Sequence, residues 1–118
     1  MFKNSVVKAQ AIRLIRDAID NKVLIAGLWF ADSWANSAAT DYCGGRCSIG
    51  AMAQPHIPTI LLDLATTPFS IVKEVYGLTG KEMSNIMRLN DALARAMNRN
   101  DPHVHPLKQD LFNYLEAL

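Results

Sequence analysis

The chain has few cysteines, almost no net charge and no long hydrophobic run, and each of these absences excludes a class of protein. Its 118 residues contain two cysteines, Cys43 and Cys47, which are too few for a disulfide framework. The net charge of +1 indicates neither a disordered chain nor a charged tail. The apolar stretch at 23–31 is far too short to span a membrane. We therefore expect a reduced, cytoplasmic protein with no membrane partner.

The rest of the composition is typical of one globular domain. Half of the residues are hydrophobic and 19% are charged. A chain of 118 residues is long enough to bury a core without disulfides or metal ions. The first four residues lead directly into a helical pattern, so we expect no signal peptide. The sequence predicts a single, mainly α domain over 1–118, built from five or six short helices.

The clearest helical pattern covers residues 5–21. Apolar side chains recur on one stripe, and charged side chains cover the opposite face. Acidic residues are interleaved with the basic ones on that face, so we expect it to be solvated and do not expect nucleic acid as a partner. The apolar stripe consists of Val7, Ala11, Leu14, Ile15, Ala18 and Ile19.

The segment 23–30 is too short for an independent helix. Its β-branched and aromatic residues predict a short buried strand or an extended strip. Trp29 and Trp34 are expected at the core or its rim; as an exposed cluster they would be an interaction hot spot. The polar, alanine-rich stretch at 32–41 predicts a loop or a short frayed helix.

Capping signals position the helices in the second half of the chain. Two prolines at 54–58 predict a break, followed by a short helix at 59–65. Thr67 before Pro68 predicts the start of the next helix, and Gly77 predicts its end.

The last two helices are also marked by local signals. Thr79 and Glu82 have the spacing of a capping box before an apolar run that extends to about residue 98. Asn90-Asp91 is a place where this helix could be interrupted. His105-Pro106 is expected to begin the final helix.

A turn at 43–51 lies between the tryptophans and these later helices. Gly44 and Gly45 permit strained backbone conformations, and 48–54 predicts a short helix whose small residues let a neighbouring helix approach closely. Cys47 would lie at or just before the start of this helix, where the helix dipole lowers the pKa of a thiol. We favour the alternative, a buried and unreactive cysteine, because the sequence supplies no clear activating partner.

Four side chains have the chemistry of a zinc site: Cys43, Cys47, His103 and His105. Three residues separate the cysteines and one separates the histidines, and these gaps lie at the edge of, or outside, the common structural patterns. Two solvent-exposed histidines in a turn are the simpler interpretation. We expect no metal ion at this place.

A cysteine nucleophile is the second candidate for chemistry. Cys47 would attack, His105 or His103 would act as the base, and Asp91 or Asn90 would orient that base. Three histidines in a short chain produce such a set by chance, so the pattern is weakly specific.

Nucleotide and membrane-surface binding have no support in the sequence. The glycines at 44–45 and 77–80 lack the lysine and the Ser/Thr that a phosphate loop requires. No helix has the strongly cationic face of a membrane-surface helix. We expect no cofactor.

The chain resembles a family of small, uncharacterised bacterial and phage proteins through a set of short motifs. They are an N-terminal helix at 11–18, an aromatic segment at 27–32, the turn Cys47-Ser-Ile-Gly-Ala, the pair Asn90-Asp91 and a closing helix at 107–118. The family usually has tryptophan at the position of Leu89. Of the candidate zinc ligands, only Cys47 lies in this pattern. The resemblance implies no activity; it implies a phage or mobile-element setting in which a small protein binds a host protein.

These observations predict a small, non-enzymatic interaction protein whose partner is another protein, with self-association left open. Cys47, Gly50 and Ala51 are expected to be structural. Asn90 and Asp91 are expected to cap or bridge helices by hydrogen bonding to freed backbone groups. Methionines 83, 87 and 97 would form core or adaptable apolar surface. A thiol-dependent enzyme and a protein that sequesters a small ligand or nucleotide are the alternatives. The predicted binding residues are Trp29, Trp34, Arg46, Asn90 and Asp91.

Overall fold

The computed structural model of the protein describes residues 1–31, 44–59 and 67–118. Trp34, Cys43, the stretch predicted as a loop or frayed helix at 32–41 and most of the predicted helix at 59–65 lie outside the described residues. Within the described ranges the prediction of a mainly α fold is confirmed. The helices are α1 (Ser5–Asp20), α2 (Ser48–Ala53), a 3-10 helix (Gln54–Thr59), α3 (Pro68–Tyr76), α4 (Gly80–Asn98) and α5 (Val104–Ala117).

The predicted helix ends are confirmed where capping residues mark them. Thr67 and Thr79 each cap a helix through a reciprocal capping box, with Ser70 and Glu82 respectively as the third helical residue. Gly77 ends α3 in the left-handed conformation, with φ 78°. The proline-containing stretch after α2 is a 3-10 helix rather than a simple break, and α5 begins at Val104.

One expectation for α4 is wrong: the helix continues without interruption through Asn90 and Asp91. Asparagine and aspartate weaken a helix when their side chains compete for its own backbone groups. Here the side chain of Asn90 instead bonds to Ser48 and to the carbonyl oxygen of Ile25, which are outside α4. The backbone hydrogen bonds of the helix are therefore left intact.

The short helix α2 lies at the centre of the domain. All six of its residues are buried, and it packs against α1, α3 and α4. Gly50 permits the closest approach, but to the extended segment rather than to a neighbouring helix. A Cβ atom at Gly50 would lie 2.2 Å from the carbonyl oxygen of Trp29. Glycine is required here because any side chain would collide with that backbone.

The segment at 23–30 forms an extended strip without regular strands, which was one of the two predicted forms. Arg46 lies between its two arms, in a parallel bridge with Leu24 and an antiparallel bridge with Phe30. The Arg46 N–H donates to the Val23 carbonyl at 2.9 Å, and the Cys47 N–H donates to the Trp29 carbonyl at 3.1 Å. The strip therefore wraps around both sides of the turn that leads into α2.

The apolar stripe predicted for α1 faces the core. Ala11, Ile15, Ala18 and Ile19 are buried, together with Ile12. α5 packs along α4 and also contacts α1, so that the chain closes on its first helix. None of the helices in the described ranges combines the length and apolar character that a membrane span requires.

Candidate functional site

A cleft of about 320 Å³ lies where the extended strip meets α2 and α4. Among its described lining residues, apolar side chains dominate and one carboxylate is present. In the strip, Gly27 and Leu28 are exposed and Trp29 is half-buried, whereas the residue from the start of α2 is almost fully buried. The described lining residues are Gly27, Leu28, Trp29, Cys47, Met87 and Asp91.

A buried hydrogen-bond network holds the three elements of the cleft together. The Asn90 Oδ1 atom accepts from the N–H of Ser48 at 2.8 Å and from its hydroxyl at 2.7 Å. The Asn90 Nδ2 atom donates to the carbonyl of Ile25 at 2.9 Å. Ser48 and Asn90 are both fully buried, so each bond also prevents the desolvation penalty of an unpaired polar group. The bridging role expected of Asn90 is confirmed.

Asp91 connects α4 to the exposed tip of the strip. Its Oδ1 atom accepts from the N–H of Gly27 at 3.3 Å and from Nδ2 of Asn90 at 3.1 Å. Gly27 has φ 81°, a conformation in which glycine is preferred, and this turn positions Leu28 and Trp29 beside the cleft. Among the described residues, the Oδ2 atom of Asp91 has no hydrogen-bond partner, and Asp91 forms no ion pair.

Cys47 is the N-cap residue of α2, and its Sγ atom accepts from the N–H of Gly50 at 3.4 Å. Burial raises the pKa of the Cys47 thiol and outweighs the backbone hydrogen bonds at the helix start, which lower it. The negative charge of Asp91 raises this pKa further. Cys47 is a free thiol that is 3% exposed, and its environment favours the buried, unreactive cysteine over a thiolate stabilised by the helix dipole.

The histidines proposed as bases do not line the cleft. His103 and His105 are exposed at the start of α5, where Nδ1 of His103 lies 2.7 Å from Oδ1 of Asp101. The structure thus brings Cys47 and Asp91 to one cleft, without either histidine among its described lining residues. His56, the third histidine, lies 3.1 Å from the hydroxyl of Tyr76.

The predicted zinc set receives no support from the described part of the chain. Cys43 lies outside it, and no group of three or more His, Cys, Asp or Glu side chains within it could hold a metal ion. Cys47 is buried and bonded at the start of α2, whereas His103 and His105 are at the surface.

The five predicted binding residues have different positions relative to the cleft. Trp29 and Asp91 line it, and Asn90 supports it from the buried network. Arg46 lies in the turn between the arms of the strip, where its Nη1 atom donates to the carbonyl of Gly44 at 3.0 Å. Trp34 lies outside the described residues.

Gly27 and Leu28 are lining residues that the sequence did not single out. They belong to a short segment without a clear periodicity, so no pattern indicated which of its side chains face solvent. Leu28 is 61% exposed and directly follows Gly27, which has a positive φ.

A comparison with protein-family models gave no match, and neither did comparisons with curated proteins and with solved structures. The resemblance to small bacterial and phage proteins therefore stays a prediction from the motifs.

Proposed function

We propose that this protein acts by binding, without catalysis, and that the cleft at Asp91 receives a segment of a partner protein. The observation that carries the proposal is the position of Leu28. It is one of three large hydrophobic side chains that are strongly exposed among the described residues, and it lines the cleft. Exposed apolar side chains that border a concave surface are typical of binding sites.

The chemistry of the cleft favours binding over a thiol-dependent reaction. A cysteine nucleophile reacts as the thiolate, and burial keeps Cys47 protonated. Met87 and Trp29 instead provide an adaptable side chain and a large aromatic surface, which are common at protein interfaces.

The biological setting belongs to the same proposal. The resemblance supports a phage or mobile-element accessory protein that binds and modulates a host protein. The small number of cysteines and the free thiol of Cys47 support a reducing, cytoplasmic location.

Site-specific photo-crosslinking tests the proposal. We would place the photoreactive residue p-benzoylphenylalanine at Leu28 and, in a matched control, at Val6 on α1. Both positions are exposed, at 61% and 76%, so neither replacement should disturb the fold. We expect a discrete adduct with one protein from a bacterial lysate at position 28 and none at position 6.

A second variant confirms that the adduct depends on the cleft. Leu28→Asp, combined with the crosslinker at Met87, should abolish the adduct that the crosslinker at Met87 forms alone. No adduct at position 28, or the same adducts at positions 28 and 6, would reject the proposed binding surface. A retained small molecule, seen by native mass spectrometry, would favour the small-ligand alternative instead.

A further inference from the structure

The charge of Asp91 has no counterpart in the described part of the cleft. No lysine, arginine or histidine is among the described lining residues, and Asp91 takes part in none of the ion pairs formed by the described residues. The two groups that donate to this partly buried carboxylate, the N–H of Gly27 and Nδ2 of Asn90, are neutral, so they do not balance its charge. A positively charged ligand group beside Asp91 would therefore gain more binding free energy than a neutral group.

The geometry of Asp91 also limits the kind of cation that fits. Its Oδ1 atom is already engaged by the N–H of Gly27 and by Nδ2 of Asn90, and Oδ2 alone is left for a ligand. A guanidinium group binds a carboxylate best through both oxygens, in a fork-like arrangement. An ammonium group is a compact charge that needs one oxygen, so one free oxygen favours lysine over arginine.

The apolar wall fits the rest of a lysine side chain. Leu28, Trp29 and Met87 line the cleft together with Asp91. A lysine side chain buries its four-carbon stem along an apolar surface while its ammonium group remains at a polar group or in water. The charge of Asp91 and the apolar wall of the cleft therefore both favour a lysine side chain.

We propose that the cleft recognises a lysine side chain of the partner protein, with the stem against Leu28, Trp29 and Met87 and the ammonium group on Oδ2 of Asp91. This inference rests on the proposed binding function and names the chemistry of the partner.

An NMR titration of the full chain with model compounds tests the inference. The probes are N-acetyl-lysine N-methylamide, the norleucine derivative that has nearly the same stem without the charge, and the arginine derivative. The reporters are the amide of Gly27, which is bonded to Asp91, and the indole N–H of Trp29. We expect the lysine derivative to bind about tenfold more tightly than the norleucine derivative and more tightly than the arginine derivative.

Two variants show whether an effect on binding arises from the charge of Asp91 or from a change in the fold. Asp91→Asn keeps an oxygen that can accept from Gly27, and it should remove the preference for lysine over norleucine. Asp110→Asn makes the same change at an exposed position on α5 and should leave all affinities unchanged. Unchanged amide spectra outside the cleft would show that each variant is folded.

The outcomes distinguish this inference from the proposed function. Equal affinities for the lysine and norleucine derivatives, or a lysine preference that survives Asp91→Asn, would overturn the inference. So would the absence of any shift at Gly27 and Trp29 while crosslinking at position 28 still captures a protein. Lysine binding without any adduct at position 28 would support the recognition of a lysine side chain by the cleft and would reject a protein as the source of that side chain.

Discussion

Replacing Gly50 by alanine should destabilise the protein through a single collision. The new methyl group would lie 2.2 Å from the carbonyl oxygen of Trp29, 3.0 Å from its carbonyl carbon and 3.3 Å from Cε1 of Phe30. The closest atom is backbone and also accepts a hydrogen bond from Cys47, so it cannot move without breaking that bond. The extended strip would have to shift away from α2.

Two opposing effects set the magnitude of the change at Gly50. Forcing a methyl group into a packed core costs about 1–3 kcal/mol, and a backbone collision belongs at the upper end. Replacing glycine by alanine within a helix stabilises the helix by about 1 kcal/mol. The cost of the collision is larger than the gain from alanine, so we expect the free energy of unfolding to fall by about 2 kcal/mol.

Urea unfolding followed by circular dichroism measures this loss. Gly80→Ala is the matched control, because a Cβ atom at Gly80 would meet nothing within 4 Å. We expect that control to be as stable as the original chain or slightly more stable. If Gly50→Ala unfolds at the same urea concentration as Gly80→Ala, the close approach of the strip to α2 is wrong.

Three further predictions follow from the buried groups. Asn90→Ala should lower the free energy of unfolding by about 3 kcal/mol, because it leaves the buried N–H and hydroxyl of Ser48 and the half-buried carbonyl of Ile25 without this partner. A loss in thermal unfolding no larger than that of Ser48→Ala would contradict this. Iodoacetamide should modify Cys47 slowly at pH 7 and rapidly in urea, since burial raises its pKa; fast modification of the native protein, mapped by peptide mass, would refute it. Burial lowers the pKa of His56, so the unfolded chain binds more protons and stability should fall as the pH drops below about 6.5. His56→Gln should weaken that dependence, and an unchanged pH profile would show that the loss arises elsewhere.

Local signals in the sequence determined where several helices begin and end. Thr67, Thr79 and Gly77 act within four residues of their own position, through capping boxes and a left-handed end. The apolar stripe of α1 likewise followed from the helical period. These features need no distant partner, and they were sufficient to predict a mainly α fold.

Tertiary contacts decided what the sequence left open at Asn90. Its side chain could weaken α4 or bond elsewhere, and the choice depends on Ser48 and Ile25, which are 42 and 65 residues away. The same applies to Cys47. Its place at a helix start favours a low pKa, but the burial that raises the pKa arises only when α2 is enclosed by other elements.

The candidate site depends on the tertiary structure in the same way. Trp29 and Asp91 could be chosen from the sequence because large aromatic and charged side chains are common in binding sites. Their meeting in one cleft requires Asp91 to bond to Gly27, 64 residues away, at the turn of the strip. The sequence therefore determined the helices and the candidate chemistry, whereas long-range packing determined which side chains share a cleft, which one is left exposed at its rim and which one is buried as a neutral thiol.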